Sequence, residues 1–273
     1  EALISALTND HPRARPLTAA SVDQMSLERS MAFYKNRFAD ASDFTFVFVG
    51  SIDIDALKPL VERYLASLPA LRRTEAAIDR GIRPPAAVVE RQVVKGVDPR
   101  SQVAIVFSGA FQNTPSNRLL IKTMSEMLGG NLHRTLREEL GGTYGVSVEP
   151  NFRKYPTQEY QISIGFSCDP SRVTELTNAA WRVIREFTTE GPSADHLAGV
   201  RAALDRDLET GFQENVDLLN ELMTSVENME DVADVFNPRP LYNQLTTSAL
   251  QQAARDYLDL KRYVQVTLRP ESK

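Results

Sequence analysis

The stretch LHRTLREELGGTYGVSVEP, residues Leu132–Pro150, changes its pattern in the middle. Its first half repeats apolar and charged residues with a helical period, and its second half alternates as a strand does. Gly141 and Gly142 stand where the pattern changes, and glycine readily ends a helix and lets the chain reverse. The stretch therefore predicts a helix, a tight corner and a strand. Arg137 and Tyr144 lie seven residues apart across that corner.

The sequence on both sides of this corner predicts a sheet covered by helices. Over residues 160–168, apolar residues alternate with polar or small ones, which indicates an antiparallel strand with one buried face. The stretches SQVAIVFSGAF and RYVQVTLRP supply further strands. Apolar residues at helical spacing cover 116–140 and 173–187, and Ser193 is a plausible N-cap for another helix. Residues 93–273 are therefore expected to form a complete α/β domain.

The N-terminal part of the chain is expected to be an incomplete domain. Residues 18–39 have the spacing of an amphipathic helix, FTFVFVG (Phe44–Gly50) has the composition of a buried strand, and Asp53 is a plausible N-cap of a second helix. A lone strand needs hydrogen-bonding partners, so residues 1–75 are interpreted as the C-terminal part of an α/β domain. Residues 76–92 contain glycine, two adjacent prolines and many charges without a period, which is typical of a linker.

Composition excludes some classes of protein. The chain has 273 residues, a net charge of −5 and no block of Lys or Arg, which argues against nucleic acid as a partner. No apolar run approaches the ~20 residues of a membrane-spanning helix, so no membrane insertion is expected. The chain begins with Glu1 and shows no signal peptide. We therefore expect it to be a processed product or a piece of a longer protein.

The histidine and cysteine residues, which are common zinc ligands, are few and scattered. The histidines are His11, His133 and His196, and none belongs to H-E-x-x-H or H-x-x-E-H. His133 shares a helix face with Arg137 and could border a site, but a surface position is favoured for all three. Cys168 falls on the apolar side of its strand and is expected to be a buried thiol. The sequence therefore predicts that this chain by itself holds no metal ion.

Arg137 and Tyr144 have two interpretations. In the first, which spacing alone favours, Arg137 is a cation that stabilises the C-terminal end of a helix dipole, and Tyr144 is an aromatic residue at a sheet edge. In the second, the corner directs both side chains towards one concave surface. A guanidinium can then bind a carbonyl or carboxylate, and a phenol can donate a hydrogen bond to developing negative charge. Together they would suit a peptide carbonyl that becomes an oxyanion.

Two segments resemble the insulinase (pitrilysin) family of zinc metallopeptidases. TLREELGGTYGV is similar to the LR-x-x-x-x-G-x-Y segment of the family's second half, and its Arg and Tyr fall on Arg137 and Tyr144. The upstream stretch from HPRARPL to ASLP resembles the family's repeated helix, strand, helix signature. The segment FADASDFTFVFVGSID is most similar to the long bacterial periplasmic members of the family. The resemblance covers nearly the whole chain.

The resemblance implies an α+β protein of two related mixed α/β units, with mainly antiparallel sheets backed by helices. It implies that the chain is the C-terminal, non-zinc half of a metalloendopeptidase, inactive alone, and that a zinc-binding N-terminal half lies outside it. Arg137 and Tyr144 would contact the peptide substrate and stabilise the transition state. The implied compartment is the bacterial periplasm or cell envelope. The alternative is a non-catalytic binding or assembly subunit of the same fold, which an H-x-x-E-H motif upstream would exclude.

Overall fold

The structure is a computed structural model that describes residues 1–210 and 214–271. Its helices are α1 (Ala2–Leu7), α2 (Ala19–Asp23), α3 (Leu27–Arg37), α4 (Ile54–Tyr64), α5 (Pro115–His133), α6 (Val173–Glu190), α7 (Ala194–Thr210), α8 (Asn215–Glu227), α9 (Arg239–Tyr242) and α10 (Thr247–Tyr257). Its strands are β1 (Val89–Val94), β2 (Ser101–Ala110), β3 (Thr143–Arg153), β4 (Glu159–Cys168) and β5 (Val264–Arg269). A π-helical turn, Arg134–Glu139, continues α5. Short 3₁₀ turns cover Pro12–Ala14, Pro170–Arg172 and Val232–Phe236.

The chain forms two compact units. Unit 1 contains Glu1–Pro16, Ile78–Asp205 and Arg239–Lys273, and unit 2 contains Leu17–Ala77 and Arg206–Pro238. These boundaries differ from the expected continuous segments 1–75 and 93–273. The reason at the N-terminus is packing, because the apolar side chains of α1 contact β5 and β1 and so join the first residues to unit 1. That unit 2 is part of a larger domain stays a prediction.

Unit 1 is built on a five-stranded sheet in the order β1-β5-β2-β4-β3. The β1–β5 pair is parallel, and the other three pairs are antiparallel. The pairing of β2 with β4 is continuous from Ser101 opposite Cys168 to Ala110 opposite Glu159. The predicted class, a mixed α/β fold with a mainly antiparallel sheet backed by helices, is confirmed. The assigned sheet of the described residues lies in unit 1, and β1 begins inside the segment interpreted as a linker.

One face of the sheet forms the main core. The predicted alternation of β4 is confirmed, since its inward side chains are Tyr160, Ile162, Ile164, Phe166 and Cys168, all at most 6% exposed. Helices α5, α6 and α10 cover this face with their apolar stripes, and Leu128, Leu136 and Ile184 are completely buried. Each large apolar side chain removed from water contributes about 1.5–3 kcal/mol, so this face supplies much of the stability of unit 1.

The opposite face of the sheet is covered by α1 over β5 and β1. Ala6 packs there against Val264 and Val266. Beside α1 lies a cleft of about 890 Å³, here called the sheet cleft. Its floor crosses four strands at neighbouring register positions, Val266, Ala104, Gly165 and Ser147. Three of these four side chains are small or absent, and this accounts for the depression.

Unit 2 is helical in the described residues, and one of its helix starts has the predicted cap. The predicted helix over 18–39 is two helices, because Ser26 caps a new start by accepting a hydrogen bond from the Arg29 amide. Asp53 caps α4 as predicted, accepting from the amides of Asp55 and Ala56. Neither α3 nor α4 has a buried side chain. Their apolar side chains therefore form a face that packs on no core in the described residues.

The segment Phe44–Gly50, predicted as a strand whose neighbours lie outside this chain, forms no strand in the described residues and is not buried. The segment pairs with no strand among residues 1–210 and 214–271, and Phe44, Phe46 and Phe48 are 37%, 45% and 51% exposed. The physical reason is that a strand requires a neighbouring ladder, and the described chain supplies none here. The ring of Phe44 contacts those of Phe38 and Phe46 instead.

Asp40 ties the end of α3 to the segment that follows α4. Its carboxylate accepts hydrogen bonds from the amides of Leu71 and Arg73 at 2.7 Å each, and from that of Ser42 at 3.1 Å. Burial alone would raise the pKa of Asp40, but these N–H donors outweigh it and hold the pKa well below its usual value of 3.8. The ionised carboxylate is therefore a structural group at neutral pH.

We expect Asp40→Asn to lower the hydrogen-exchange protection of the Leu71 and Arg73 amides at neutral pH. Because the folded-state pKa is depressed, the stabilisation is complete well above the ordinary value of 3.8 and is lost as pH falls below it. The difference between variant and wild type should accordingly shrink on acidification. Asp43→Asn, at an exposed neighbouring carboxylate, is the matched control. Equal protection in wild type and Asp40→Asn at pH 7 would contradict this role.

Candidate functional site

Arg137 lies in the π-helical turn Arg134–Glu139 rather than in a regular α-helix. The wider turn shows in the backbone, where the amide of Leu140 donates to the carbonyl of Thr135 five residues earlier, at 3.1 Å. Thr135 and Leu136 are buried and anchor the turn to the core, while Arg137 points away from it and is exposed. Single π-turns within helices are rare and occur frequently at functional sites.

The guanidinium of Arg137 has one hydrogen-bond partner among the described residues. One terminal nitrogen lies 3.0 Å from Nε2 of His133. The prediction that His133 shares a face with Arg137 is therefore confirmed. The remaining N–H groups of Arg137 are available to solvent or to a ligand. The position near the helix end also fits a dipole-stabilising cation, so the two interpretations of Arg137 both stand on this geometry.

The corner that follows depends on its two glycines. Gly141 has φ +55°, the left-handed conformation that commonly follows the last helical residue. Gly142 has no such requirement but lies against the core, where an added Cβ would be 2.4 Å from a methyl carbon of Leu176. Leu176 is completely buried. The first glycine therefore turns the chain, and the second lets the backbone pass close to α6.

We expect Gly142→Ala to destabilise the protein by about 1–3 kcal/mol, the usual cost of forcing extra atoms into a packed core. Leu176 is 0% exposed, so a shift of its side chain would disturb its packing in the core. Gly145→Ala is the matched control, since an added Cβ there meets nothing within 4 Å. Chemical denaturation of both variants tests this. Equal unfolding midpoints for Gly142→Ala and wild type would contradict this prediction and show that α6 can move to accommodate the added methyl group.

Tyr144 is presented by a β-bulge. The register between β3 and β4 shifts between Thr143 and Val146, so Tyr144 and Gly145 lie outside the regular ladder. The hydroxyl of Thr143 fixes the bulge because it donates to the Gly145 carbonyl at 2.9 Å and accepts from the Gly145 amide at 3.3 Å. Bulges re-aim side chains and are frequent beside active sites.

The phenol of Tyr144 is open to solvent. The residue is 79% exposed, and its hydroxyl has no hydrogen-bond partner in the part of the chain that the structure describes. The guanidinium carbon of Arg100, from the loop before β2, lies 5.0 Å from the centre of the ring. This cation–π contact holds the ring and leaves the hydroxyl free to donate. Sequence reasoning missed Arg100 because it is far from Tyr144 along the chain and carries no motif.

The sheet cleft reaches the residue after Tyr144, since Gly145 is part of its lining. Neither Arg137 nor Tyr144 lines it. The structure thus places both residues in unit 1, at the two ends of one short corner and both exposed. That their tips serve a single concave surface stays a prediction.

The described residues contain no group of three or more His, Cys, Asp or Glu side chains that could hold a metal ion. Cys168 is a free, buried thiol as predicted, and burial raises its pKa, so it is not poised as a nucleophile. Within the described ranges, no helix has the length and apolar character needed to cross a bilayer. The exposed chemistry of the corner is therefore that of a cation and a phenol.

We expect this chain to retain less than one zinc ion per molecule. Zinc sites in proteins need three or four His, Cys or carboxylate ligands in close reach, and the described residues do not bring such a set together. Elemental analysis after metal stripping, incubation with zinc and desalting provides the measurement. One zinc retained per chain would show that ligands assemble in a way this structure does not contain.

The sequence and the fold agree with a known class of protein. The family described as the peptidase M16 inactive domain matches residues 24–204, about two thirds of the chain. The chain belongs to this family, and the resemblance noted from the sequence is confirmed.

Individual relatives are described as probable zinc proteases. The probable zinc protease PqqL of Haemophilus influenzae is 25% identical over 235 residues, covering 85% of this chain and 25% of the relative. PqqL of Escherichia coli is 24% identical over 255 residues, covering 90% and 26%. The crystal structure of the periplasmic protease PqqL from Escherichia coli has a similar fold, with a TM-score of 0.81 and 22% identity over 98% of this chain and 30% of that one. The chain thus spans about a quarter of the length of these curated relatives.

Proposed function

We propose that this chain is the C-terminal, non-zinc half of an insulinase-like zinc metalloendopeptidase, and that Arg137 and Tyr144 are its substrate-contacting residues. The observation that carries the proposal is the corner itself. A π-turn, which is rare, and a β-bulge flank two glycines and leave a guanidinium and a phenol exposed. Membership of the M16 inactive-domain family supports the assignment to a peptidase without a catalytic centre of its own.

The two side chains have complementary chemistry. Arg137 has N–H donors that match a peptide carbonyl or a terminal carboxylate, and it would hold the substrate in the ground state and in the transition state. Tyr144 has one O–H donor, which would be strongest towards the oxyanion that develops when the carbonyl is attacked. Arg137 would therefore contribute mainly to binding and Tyr144 mainly to rate.

Zinc does not fit this chain, because its described residues offer no ligand set. In the proposal the metal is a cofactor of the parent protein and belongs to an N-terminal half outside this chain, in the same polypeptide or in a separate subunit. That half and a peptide substrate are the proposed partners. The proposed location is the bacterial periplasm or cell envelope, since one relative of known structure is described as a periplasmic protease.

The experiment compares this chain with the parent protein that contains both halves. Steady-state cleavage of a fluorogenic peptide library should be zero for the chain alone and measurable for the parent, and chelation should abolish the parent's activity. Adding the purified N-terminal half to this chain tests whether two separate pieces suffice. A parent that carries a complete zinc motif and binds zinc, yet cleaves no peptide, would overturn the proposal.

The second candidate is a non-catalytic binding or assembly subunit of the same fold. The description of the matching family as an inactive domain favours it. The two candidates differ in what lies upstream, since only a peptidase needs H-x-x-E-H in the other half. They also differ in the corner, because an assembly subunit should tolerate loss of the Tyr144 hydroxyl without any effect on function.

A further inference from the structure

The π-turn places two residues, Arg137 and Glu138, beside His133, whereas an α-helix would place only the first of them there. In an α-helix each residue advances about 100°, so position i+5 lies about 140° around the axis from position i. A π-turn bonds each amide to the carbonyl five residues earlier, so one turn holds more residues and positions i+4 and i+5 both come to lie beside position i. Here position i is His133, and the two neighbours are Arg137 and Glu138.

The distances agree with this geometry. Nε2 of His133 lies 3.0 Å from a terminal nitrogen of Arg137, and Nδ1 of the same ring lies 3.5 Å from a carboxylate oxygen of Glu138. The imidazole is about one-third exposed, and the Glu138 carboxylate is more exposed still. The imidazole thus stands between a cation and an anion, with one ring nitrogen facing each.

These contacts favour one tautomer of the neutral ring. A guanidinium nitrogen can only donate, so Nε2 of His133 must accept and must carry no proton. The proton of the neutral ring is then on Nδ1, where it faces the carboxylate of Glu138. His196, from α7, is a further titratable group on this part of α5, where its ring lies beside Gly130, one turn before His133.

We propose that His133 is a positioning residue for Arg137, with Glu138 fixing its tautomer. The ring holds one edge of the guanidinium and leaves the other N–H groups directed outwards for a ligand carbonyl or carboxylate. The functional part of this inference rests on the proposed function, because it needs Arg137 to bind substrate. The tautomer itself is a property of this chain and does not depend on that function.

The first arm of the test is nuclear magnetic resonance of this chain with ¹⁵N-labelled histidine at alkaline pH. We expect the His133 signals of a ring with Nδ1 protonated and Nε2 bare. Arg137→Ala should shift the ring towards the other tautomer, and Arg137→Lys, which keeps a cationic donor, should shift it less. A wild-type His133 protonated on Nε2, or the same tautomer in wild type and Arg137→Ala, would overturn the proposal.

The second arm is peptide cleavage by the parent protein. His133→Leu, which keeps the bulk but cannot accept, should raise KM roughly two- to fivefold, the size expected for an exposed charged contact, and leave kcat and the melting temperature unchanged. His133→Gln keeps an acceptor oxygen and should keep KM close to wild type. His196→Leu is the matched control and should have no effect.

The two arms distinguish failure of the positioning role from failure of the proposed function. If Arg137→Ala impairs cleavage but His133→Leu does not change KM, the positioning role is wrong while the proposed function stands. If Arg137→Ala leaves cleavage unchanged, the proposed function of Arg137 is wrong, and the tautomer measurement alone decides whether His133 holds the guanidinium.

Discussion

Tyr144→Phe should lower the kcat of the intact two-half protein by roughly tenfold to a thousandfold, the range for loss of one hydrogen-bond donor to an oxyanion. The substitution removes one hydroxyl that has no partner in the described chain, and it keeps the ring on which Arg100 lies. Folding should therefore be unaffected, and KM should change little. Steady-state cleavage of a fluorogenic peptide, with thermal melts beside it, measures both quantities.

The chain offers a matched control for this variant. Tyr64 is 59% exposed, and the guanidinium of Arg63 lies 5.3 Å from its ring centre, so it shares the surroundings of Tyr144 without being in the corner. Tyr64→Phe should leave kcat unchanged. If Tyr144→Phe is equally silent, the hydroxyl has no catalytic role and the interpretation as a sheet-edge aromatic is correct. A fall in kcat that follows the melting temperature would make the corner structural.

Arg137→Ala should reduce kcat/KM by roughly ten- to hundredfold, the loss expected when a charged hydrogen-bond donor is removed from a bound ligand. Unlike Tyr144→Phe, this variant should also raise KM, because a guanidinium contacts the peptide before the reaction as well as during it. The measurement is the separate determination of kcat and KM for the same peptide.

Arg134→Ala controls for charge and for the helix dipole. Arg134 lies in the same π-turn, and its side chain is 63% exposed and 3.7 Å from Glu139. Its loss should change kcat/KM little, since exposed ion pairs contribute at most about 1 kcal/mol. Equal effects of Arg134→Ala and Arg137→Ala would indicate a general electrostatic role and would contradict a specific contact by Arg137.

The sheet of unit 1 could be predicted because its signals are local. The strict alternation over Tyr160–Cys168 fixes the buried face of β4, and the two glycines mark the corner. The same holds for the cap of α4 at Asp53. Each of these features depends on residues that are close together in the sequence, so periodicity and capping rules were sufficient.

Other features depend on contacts that no local pattern encodes. The π-turn after His133 follows a sequence with ordinary helical spacing, and Glu138 would lie on another face in a regular α-helix. Arg100 meets Tyr144 only because the loop before β2 folds next to the bulge. The strand composition of Phe44–Gly50 predicted a ladder, but a ladder also requires a neighbour, which composition cannot supply.

The unpaired segment Phe44–Gly50 also has a consequence for handling the protein. It is a window of aromatic and β-branched residues without charge or proline, which is the composition of segments that stack into amyloid-like fibrils. With no strand beside it in the described chain, this window is an open template for self-association during overexpression. Any partner strand that pairs with Phe44–Gly50 would therefore protect the segment from self-association. The solubility of the newly made protein would then depend on how soon after synthesis that strand pairs with it.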